Sequence, residues 1–296
     1  MTDSYFSERE LGVLPQNREK IDQGFWNGLR TLIQGRINDG SLAERFPINC
    51  FDADVPIGCD DSAIKLAYQA DFPSIGWPFY SEDLPNSLIV LDAAEFFYRY
   101  ISKPIRKEYH SFGKNNHNHF LAFDQDAGRR EYLEDVNRLF RRNSLAFELR
   151  EDGRVIRLEP VVLRETLAKA VFQTEDEELN RLLEISREKF RNPDVTIRRE
   201  AIEKLWDAWE RLKTLEPGPD KKKQIEALLT RAIPDPEFRE RINNEADKLT
   251  KIGNDFAIRH TETNKIIISD SKYLDYLFHR LFSLIQLLLR QTGRGG

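Results

Sequence analysis

The stretch Tyr273–Arg290, YLDYLFHRLFSLIQLLLR, is the most apolar in the chain and predicts the helix around which the C-terminal half folds. Its apolar side chains recur every three or four residues, as they do on one face of a helix. They are Leu274, Leu277, Phe278, Leu281, Ile285 and Leu288. Polar residues interrupt the run and would be costly in membrane hydrocarbon: Asp275, His279, Arg280 and Gln286. We therefore expect the central helix of a bundle, and no membrane span.

Helical patterns continue upstream of this helix, from Pro160 onward. Apolar residues recur at helical spacing in three further segments: Glu175–Phe190, Val195–Leu215 and Asp235–Ile258. A break at Asn192-Pro193-Asp194 separates the first two, and we interpret Glu216–Lys223, EPGPDKKK, as a linker with a solvated basic run. Several helices with short connections predict an antiparallel bundle, which we assign to residues 166–296.

The N-terminal half mixes helices and strands. Two segments have helical spacing of apolar residues: Gly24–Asp39 and Ser87–Lys103. Pro104 would end the second of them. Leu145–Arg150 and Val155–Leu158 alternate around Asp152-Gly153, whose composition suits a tight hairpin turn. We therefore expect an α+β domain of helices and a β-hairpin over residues 1–165, followed by the all-α bundle.

Composition argues against several classes of protein. The chain has 296 residues, 40% of them hydrophobic, so it can bury a sizeable core. Its net charge of -5 argues against coating nucleic acid through bulk electrostatics. With two cysteines and no apolar leader, we expect no disulfide scaffold and a cytoplasmic protein. No phosphate-binding glycine motif and no GxSxG motif occurs, so nucleotide-dependent and serine-hydrolase activities lack support.

A dense polar cluster lies just before the terminal helix, within Leu249–Lys265, LTKIGNDFAIRHTETNK. A histidine that titrates near neutral pH can move a proton, and a guanidinium with an amide can hold the oxygens of a phosphorane. These residue types suit metal-independent cleavage of a phosphodiester. The candidate catalytic residues are Asn254, Arg259 and His260, with Lys251 and Glu262 beside the substrate. On spacing alone, the solvated end of a helix explains the same residues.

The end of the chain resembles the HEPN superfamily, in particular the C-terminal domain of abortive-infection proteins. The resemblance rests on NDFAIRHTE, Asn254–Glu262, followed by Tyr273–Arg290, and it covers about Thr174–Arg290. In addition, YFSERELG at Tyr5–Gly12 is similar to the start of N-terminal domains found on such proteins. The resemblance implies a helical bundle that cleaves RNA without a cofactor, through an Arg and a His in a site usually completed across a homodimer. Members serve in phage defence, in toxin–antitoxin pairs or in RNA processing, so a regulatory or antitoxin protein is a possible partner.

The sequence departs from the family pattern at one position. His260 matches the family histidine, but the family arginine should lie near Gly253, Asn254 or Asp255, and none of these is basic. Either Arg259 takes over the phosphate role, or the site is degenerate. The first alternative predicts a ribonuclease, and the second predicts a non-catalytic sensor or interaction module in a defence or toxin–antitoxin system.

A second polar segment, HSFGKNNHNHF, contains three histidines: His110, His117 and His119. Two histidines separated by one residue point the same way on a strand and could bind zinc. Because no cysteine lies near them in sequence, we favour a solvated loop and expect no metal site. A ligand-sensing loop and an RNA contact stay open for this segment.

The terminal helix also suggests self-association. It has more apolar residues than one bundle face needs: Tyr273, Tyr276, Phe282, Leu287 and Leu289. A homodimer packed near the last two helices would bury this surplus and bring both copies of His260 and Arg259 to one groove.

Overall fold

The computed structural model describes residues 6–12, 14–79, 83–112, 115–256 and 268–294. The chain divides into two compact units, Met1–Leu158 and Glu159–Gly296. Each unit has a hydrophobic core of its own. The domain boundary expected between residues 165 and 166 stays a prediction.

In its described residues, the first unit contains five helices and three two-stranded antiparallel sheets. The helices are α1 (Phe6–Leu11), α2 (Gln23–Asn38), α3 (Asp61–Asp71), α4 (Ser87–Tyr100) and α5 (Gln125–Arg142). The strands are β1 (Pro47–Asn49), β2 (Pro56–Cys59), β3 (Lys103–Phe112), β4 (Asn115–Asp124), β5 (Phe147–Leu149) and β6 (Val155–Arg157). Consecutive strands pair as hairpins.

The core of the first unit lies between α2, α4 and α5 and is rich in aromatic side chains. Phe25 on α2 stacks on Phe140 of α5, with 4.9 Å between the ring centroids. Trp26 and Tyr132 are fully buried beside them. Large aromatic rings bury much apolar area at few positions, which lets three helices close a core with only short sheets around them.

Two sequence predictions for this unit are confirmed, and one needs correction. The helix expected at Gly24–Asp39 is α2, and the hairpin around Asp152-Gly153 is formed by β5 and β6. The second helix is shorter than expected, because it ends at Tyr100 and the chain continues from Lys103 into β3. Strand pairing with β4 therefore ends this helix before Pro104 is reached.

In its described residues, the second unit is formed by helices. They are α6 (Val161–Lys169), α7 (Glu177–Phe190), α8 (Val195–Lys213), α9 (Lys221–Ala232), α10 (Pro236–Asp255) and α11 (Ser271–Gln291). Helix α8 packs against α7 and α11, with Trp206 and Trp209 fully buried. Phe190 and Phe278 stack with 3.7 Å between their ring centroids. The expected helical C-terminal half and its terminal helix are present, while assignment to the HEPN superfamily stays a prediction.

Two expectations for the second unit are confirmed only in part. Glu216–Asp220 connect α8 to α9 as a linker, but Lys221–Lys223 form the first, exposed turn of α9 after the N-cap Asp220. The terminal helix keeps only part of its apolar surplus on the surface, since Tyr273 and Tyr276 are exposed whereas Phe282 and Leu289 are buried within the unit's own core. A helix that packs against several neighbours is buried on more than one side, so its buried face is wider than a single apolar stripe predicts.

Acidic or amide side chains begin nine of the described helices. In each case a side-chain oxygen accepts a hydrogen bond from a backbone N–H of the first turn, which would otherwise lack a partner. The capping residues are Asp22, Asp60, Asn86, Asp124, Asp176, Asp194, Asp220, Asp235 and Asp270. Each capping residue lies directly before its helix, so the start of the helix is determined by residues close to it in the sequence.

Over the described ranges, no helix combines the length and the apolar content needed to cross a membrane. This includes α11.

Candidate functional site

The polar cluster predicted from the sequence begins in the last turn of α10. This helix ends at Asp255, and Lys251 and Asn254 are exposed on its final turn. The other three candidate residues are Arg259, His260 and Glu262, and they lie outside the described residues. The structure therefore gives positions for the residues proposed to lie on the helix, and the arrangement of the five together stays a prediction.

The same turn contains Gly253, one of the positions at which the HEPN resemblance expects an arginine. Gly253 is buried and faces the indole ring of Trp206 on α8. A Cβ atom at position 253 would already overlap the indole, so an arginine side chain has no room there. Asn254 and Asp255 are exposed, and the structure does not prevent a basic residue at either position.

A second candidate group of side chains lies in the first unit, and only part of it is visible in the sequence. Four side chains there have their metal-ligating atoms within 4.8 Å of one another. They are Cys50, His110, His117 and His119, which we call the Cys–His cluster.

Strand geometry brings the three histidines together. His110 on β3 is paired with His117 on β4, and His119 lies two residues further along β4. Residues two apart on a strand point to the same face, and directly paired residues share a face as well. The β3–β4 hairpin therefore presents all three imidazole rings on one side.

The fourth member comes from a distant part of the chain. Cys50 follows directly after β1, and its backbone N–H donates a hydrogen bond to the carbonyl of Val55 at 2.8 Å. This bond closes the connection between β1 and β2, while β2 packs against β4. Cys50 is 4% exposed, and its thiol points at the histidines of the hairpin.

The distances within the Cys–His cluster are short. His117 Nε2 lies 3.2 Å from His110 Nδ1 and 3.3 Å from His119 Nε2. Cys50 Sγ lies 3.3 Å from His117 Nε2 and 3.7 Å from His110 Nδ1. These four atoms are the ones that can carry a lone pair toward a metal ion.

An acidic side chain lies next to the Cys–His cluster. The thiol of Cys50 donates a hydrogen bond to Asp52 Oδ1 at 2.6 Å, and Asp52 Oδ2 lies 3.6 Å from His110 Nε2. The hydrogen bond from Cys50 lowers the pKa of the Asp52 carboxyl. Asp52 thus faces the ring nitrogen of His110 that points away from the other ligand atoms.

The structure overturns the interpretation of the histidine segment as a solvated loop. The three histidines lie on paired strands and are partly buried. Sequence analysis recognised the spacing of His117 and His119, but it missed Cys50, which lies 60 residues before His110. The other cysteine, Cys59, is in the hydrophobic core, where burial raises the pKa of its thiol to about 11.

Comparison with known proteins gives one family. A sequence model of the family described as AbiJ N-terminal domain 4 matches residues 4–173, more than half of the chain. The match includes all four members of the Cys–His cluster and ends after α6. No curated protein and no solved structure matches the chain. The match supports a relationship to abortive-infection proteins, which the resemblance of the N-terminal segment had indicated.

Proposed function

The chain belongs to the AbiJ N-terminal domain 4 family, and from this premise we propose that it is a phage-defence protein of the abortive-infection type that cleaves RNA. The observation that carries the defence role is the family match over residues 4–173. The cleavage activity is assigned to the second unit, whose helices have a core of their own and which begins near the end of the matched range. In this proposal, the second unit acts as the effector that follows the family domain.

The proposed chemistry uses the polar cluster that begins in the last turn of α10. RNA carries its own nucleophile, the 2′-hydroxyl, so the protein needs to move protons and stabilise charge. His260 takes the 2′-hydroxyl proton as the bond from O2′ to phosphorus forms, and then protonates O5′ as the bond from phosphorus to O5′ breaks. Arg259 and Asn254 hold the phosphorane oxygens during this exchange. The products are a 2′,3′-cyclic phosphate and a 5′-hydroxyl, and no metal ion takes part.

Residues beside the reacting phosphate are proposed to hold the rest of the substrate. Lys251 is exposed one turn before the end of α10, where its ammonium group can contact an RNA phosphate. Glu262 is proposed to contact the substrate as well. A homodimer would supply a second copy of Arg259 and His260 and so increase the positive charge facing the phosphate. Tyr273 and Tyr276 leave exposed apolar surface on α11 for such a dimer, whereas Phe282 and Leu289 are buried within the unit and contribute none.

A second candidate function is a non-catalytic sensor or interaction module in the same kind of defence system. The packing of Gly253 against Trp206 favours it, since an arginine is excluded at one of the positions expected for the family. In this case the second unit would bind RNA or a regulatory protein without cutting. The two candidates share the defence role and differ in whether His260 is required for RNA cleavage.

The test uses the full chain in two assays. Cells expressing wild type, His260→Ala or Arg259→Ala are challenged with phage, and the purified proteins are incubated with total RNA in EDTA. His279→Ala is the matched control, because it removes a histidine from α11 in the same unit. Circular dichroism of each variant checks that the helices are retained.

Ribonuclease function predicts that His260→Ala loses both RNA cleavage and protection, while His279→Ala keeps both. Cleavage that persists in His260→Ala at the wild-type rate would contradict the catalytic assignment. Protection without RNA cleavage, in wild type and His260→Ala alike, would favour the sensor function. Absence of protection against every phage tested would contradict the defence role itself.

A further inference from the structure

We propose that the Cys–His cluster binds one zinc ion in a closed tetrahedral site, which joins the β3–β4 hairpin to the connection between β1 and β2. This inference goes beyond the proposed defence function and does not depend on it. It rests on four ligating atoms that converge from two separate parts of the first unit.

The spacing of the ligating atoms fits a tetrahedral zinc site. With Zn–N bonds of about 2.0 Å and a Zn–S bond of about 2.3 Å, a regular tetrahedron has N···N edges of roughly 3.3 Å and N···S edges of roughly 3.5 Å. The N···N distances from His117 Nε2 are 3.2 and 3.3 Å. The N···S distances from Cys50 Sγ are 3.3 and 3.7 Å. These four edges match the tetrahedron. The two remaining edges, from His119 to His110 and to Cys50, are within 4.8 Å, so a side-chain movement of His119 toward the other three ligands can complete the site.

Hydrogen bonding explains only part of the same arrangement. The single ring nitrogen His117 Nε2 has three possible partners at 3.2 to 3.3 Å: His110 Nδ1, His119 Nε2 and Cys50 Sγ. A neutral imidazole nitrogen either donates one hydrogen or offers one lone pair, so it can satisfy only one of these contacts well. Without a cation, the remaining lone pairs would face one another at close range. A zinc ion at their common centre replaces that repulsion with four bonds.

The chemistry of the ligands selects zinc among the biological cations. Imidazole nitrogen and thiolate sulfur suit zinc and related transition metals, whereas calcium and magnesium require mostly oxygen ligands. Binding releases the Cys50 thiol proton to solvent, which breaks the hydrogen bond from Cys50 to Asp52, and the three histidines coordinate as neutral rings. Asp52 then faces the remaining N–H of His110, the usual position of a carboxylate that orients a zinc-bound histidine.

The number of ligands indicates a role in holding the fold. Four protein ligands fill a tetrahedral shell and leave no open position for a reacting water molecule. The elements they join need such support, because β1 and β2 have three and four residues and each hairpin forms only a two-stranded sheet. Two-stranded sheets are marginally stable in water. Zinc would therefore fix the far end of the β3–β4 hairpin, where His110 pairs with His117, against the rest of the unit.

The experiment measures metal content and does not need an activity assay. The full chain is expressed in zinc-supplemented medium and purified without a metal-affinity resin, and its zinc is determined by plasma mass spectrometry after dialysis. We expect about one zinc ion per chain, as for a structural site. Cobalt substitution should give the intense visible bands of a tetrahedral site together with a thiolate charge-transfer band.

Matched variants locate the ion. Cys50→Ser and His117→Ala should each lower the zinc content at least tenfold. Cys59→Ala and His279→Ala should keep it, since neither Cys59 nor His279 belongs to the Cys–His cluster. Wild-type protein that contains no zinc and gives no cobalt spectrum would overturn the proposal, and so would variants of the Cys–His cluster that retain full zinc.

Two further readouts keep the outcome clear if a ligand variant folds poorly. In wild-type protein, a chelator should increase amide hydrogen exchange in β3 and β4, whereas exchange in β5 and β6 should change much less. Unchanged exchange in β3 and β4 after complete zinc removal would contradict a role in holding the hairpin. A His260→Ala protein that has lost RNA cleavage should still contain zinc, so failure of the ribonuclease proposal and failure of the zinc proposal are distinguishable.

Discussion

Gly253 on α10 lies directly against the indole of Trp206 on α8, so closely that a Cβ atom at position 253 would overlap the ring and lie 2.8 Å from Cδ1. Trp206 is 1% exposed, so its ring is surrounded by other atoms of the unit. The glycine is therefore required for α10 to approach α8 at this point. The same contact excludes a longer side chain at a position where the HEPN resemblance expects an arginine.

Replacement of Gly253 by alanine should destabilise the second unit. Alanine favours a helix over glycine by about 1 kcal/mol, but the overlap with Trp206 should cost about 1–3 kcal/mol and outweigh this gain. We expect a net loss of up to about 2 kcal/mol in the free energy of unfolding, on the same two terms. Urea unfolding followed by circular dichroism measures it.

Gly35→Ala is the matched control for that substitution. Gly35 also lies inside a helix, α2, but no atom lies within 4 Å of a Cβ added there. Here only the helix preference acts, so the variant should be more stable than wild type by about 0.5–1 kcal/mol. Equal effects of the two substitutions would show that the contact with Trp206 does not restrict position 253.

Loss of the Asp176 side chain should destabilise the second unit in a pH-dependent way. Asp176 caps α7 by accepting a hydrogen bond from the Leu179 N–H at 2.7 Å, and it pairs with Arg211 at 2.7 Å. Removing the cap should cost about 1 kcal/mol. The partly exposed ion pair adds about 0.5 kcal/mol or less. We therefore expect Asp176→Ala to unfold at a lower urea concentration at pH 7.

The pKa of Asp176 is lowered from 3.8, first by the hydrogen bond from Arg211 and also by the bond from the Leu179 N–H. A lowered acid pKa gives stability that is present above the unfolded value and is lost as pH falls through the folded value. The difference between wild type and Asp176→Ala should therefore shrink below about pH 4. Asp176→Asn keeps a capping oxygen and should lose only the smaller ion-pair contribution. A difference that is equal at pH 7 and pH 3 would contradict this account.

Asn137 should be essential for the β5–β6 hairpin. Its buried amide accepts a hydrogen bond from the Leu149 N–H and donates one to the Leu149 carbonyl, both at 2.8 Å. Asn137→Leu keeps a similar volume but leaves two buried backbone groups unpaired, at roughly 1–3 kcal/mol each before relaxation. We expect a loss of about 2–4 kcal/mol and faster amide hydrogen exchange at Leu149. Asn38 is exposed, so Asn38→Leu is the control and should change stability by less than about 0.5 kcal/mol. If amide hydrogen exchange at Leu149 in Asn137→Leu equals the wild-type rate, the prediction is refuted.

Lys251 should contribute to RNA binding without affecting the fold. Its side chain is exposed on the last turn of α10, so Lys251→Ala should leave the unfolding midpoint unchanged. If it contacts one phosphate of single-stranded RNA, the slope of log K against log salt should become shallower by about 0.7–1. Fluorescence anisotropy of a labelled oligoribonucleotide at several salt concentrations measures this slope. Lys20→Ala removes the same charge from an exposed position in the first unit, and an equal effect of both variants would show that the contact is not local.

Several features of this protein follow from the sequence by itself. The apolar spacing of Tyr273–Arg290 determined α11, and the alternation around Asp152-Gly153 determined the β5–β6 hairpin. The Asp and Asn caps likewise fix where most helices begin. Each of these depends on residues within a few positions of one another, where backbone hydrogen bonding and side-chain periodicity act directly.

Other features were decided only by the tertiary structure. Sequence spacing indicated neither the pairing of Lys103–Phe112 with Asn115–Asp124 nor the approach of Cys50 to three histidines 60 or more residues away. The burial of Phe282 and the contact of Gly253 with Trp206 also depend on which helices pack together. The physical reason is the same in each case: the free energy of these contacts comes from surfaces that only folding brings together, and no local pattern encodes which surfaces will meet.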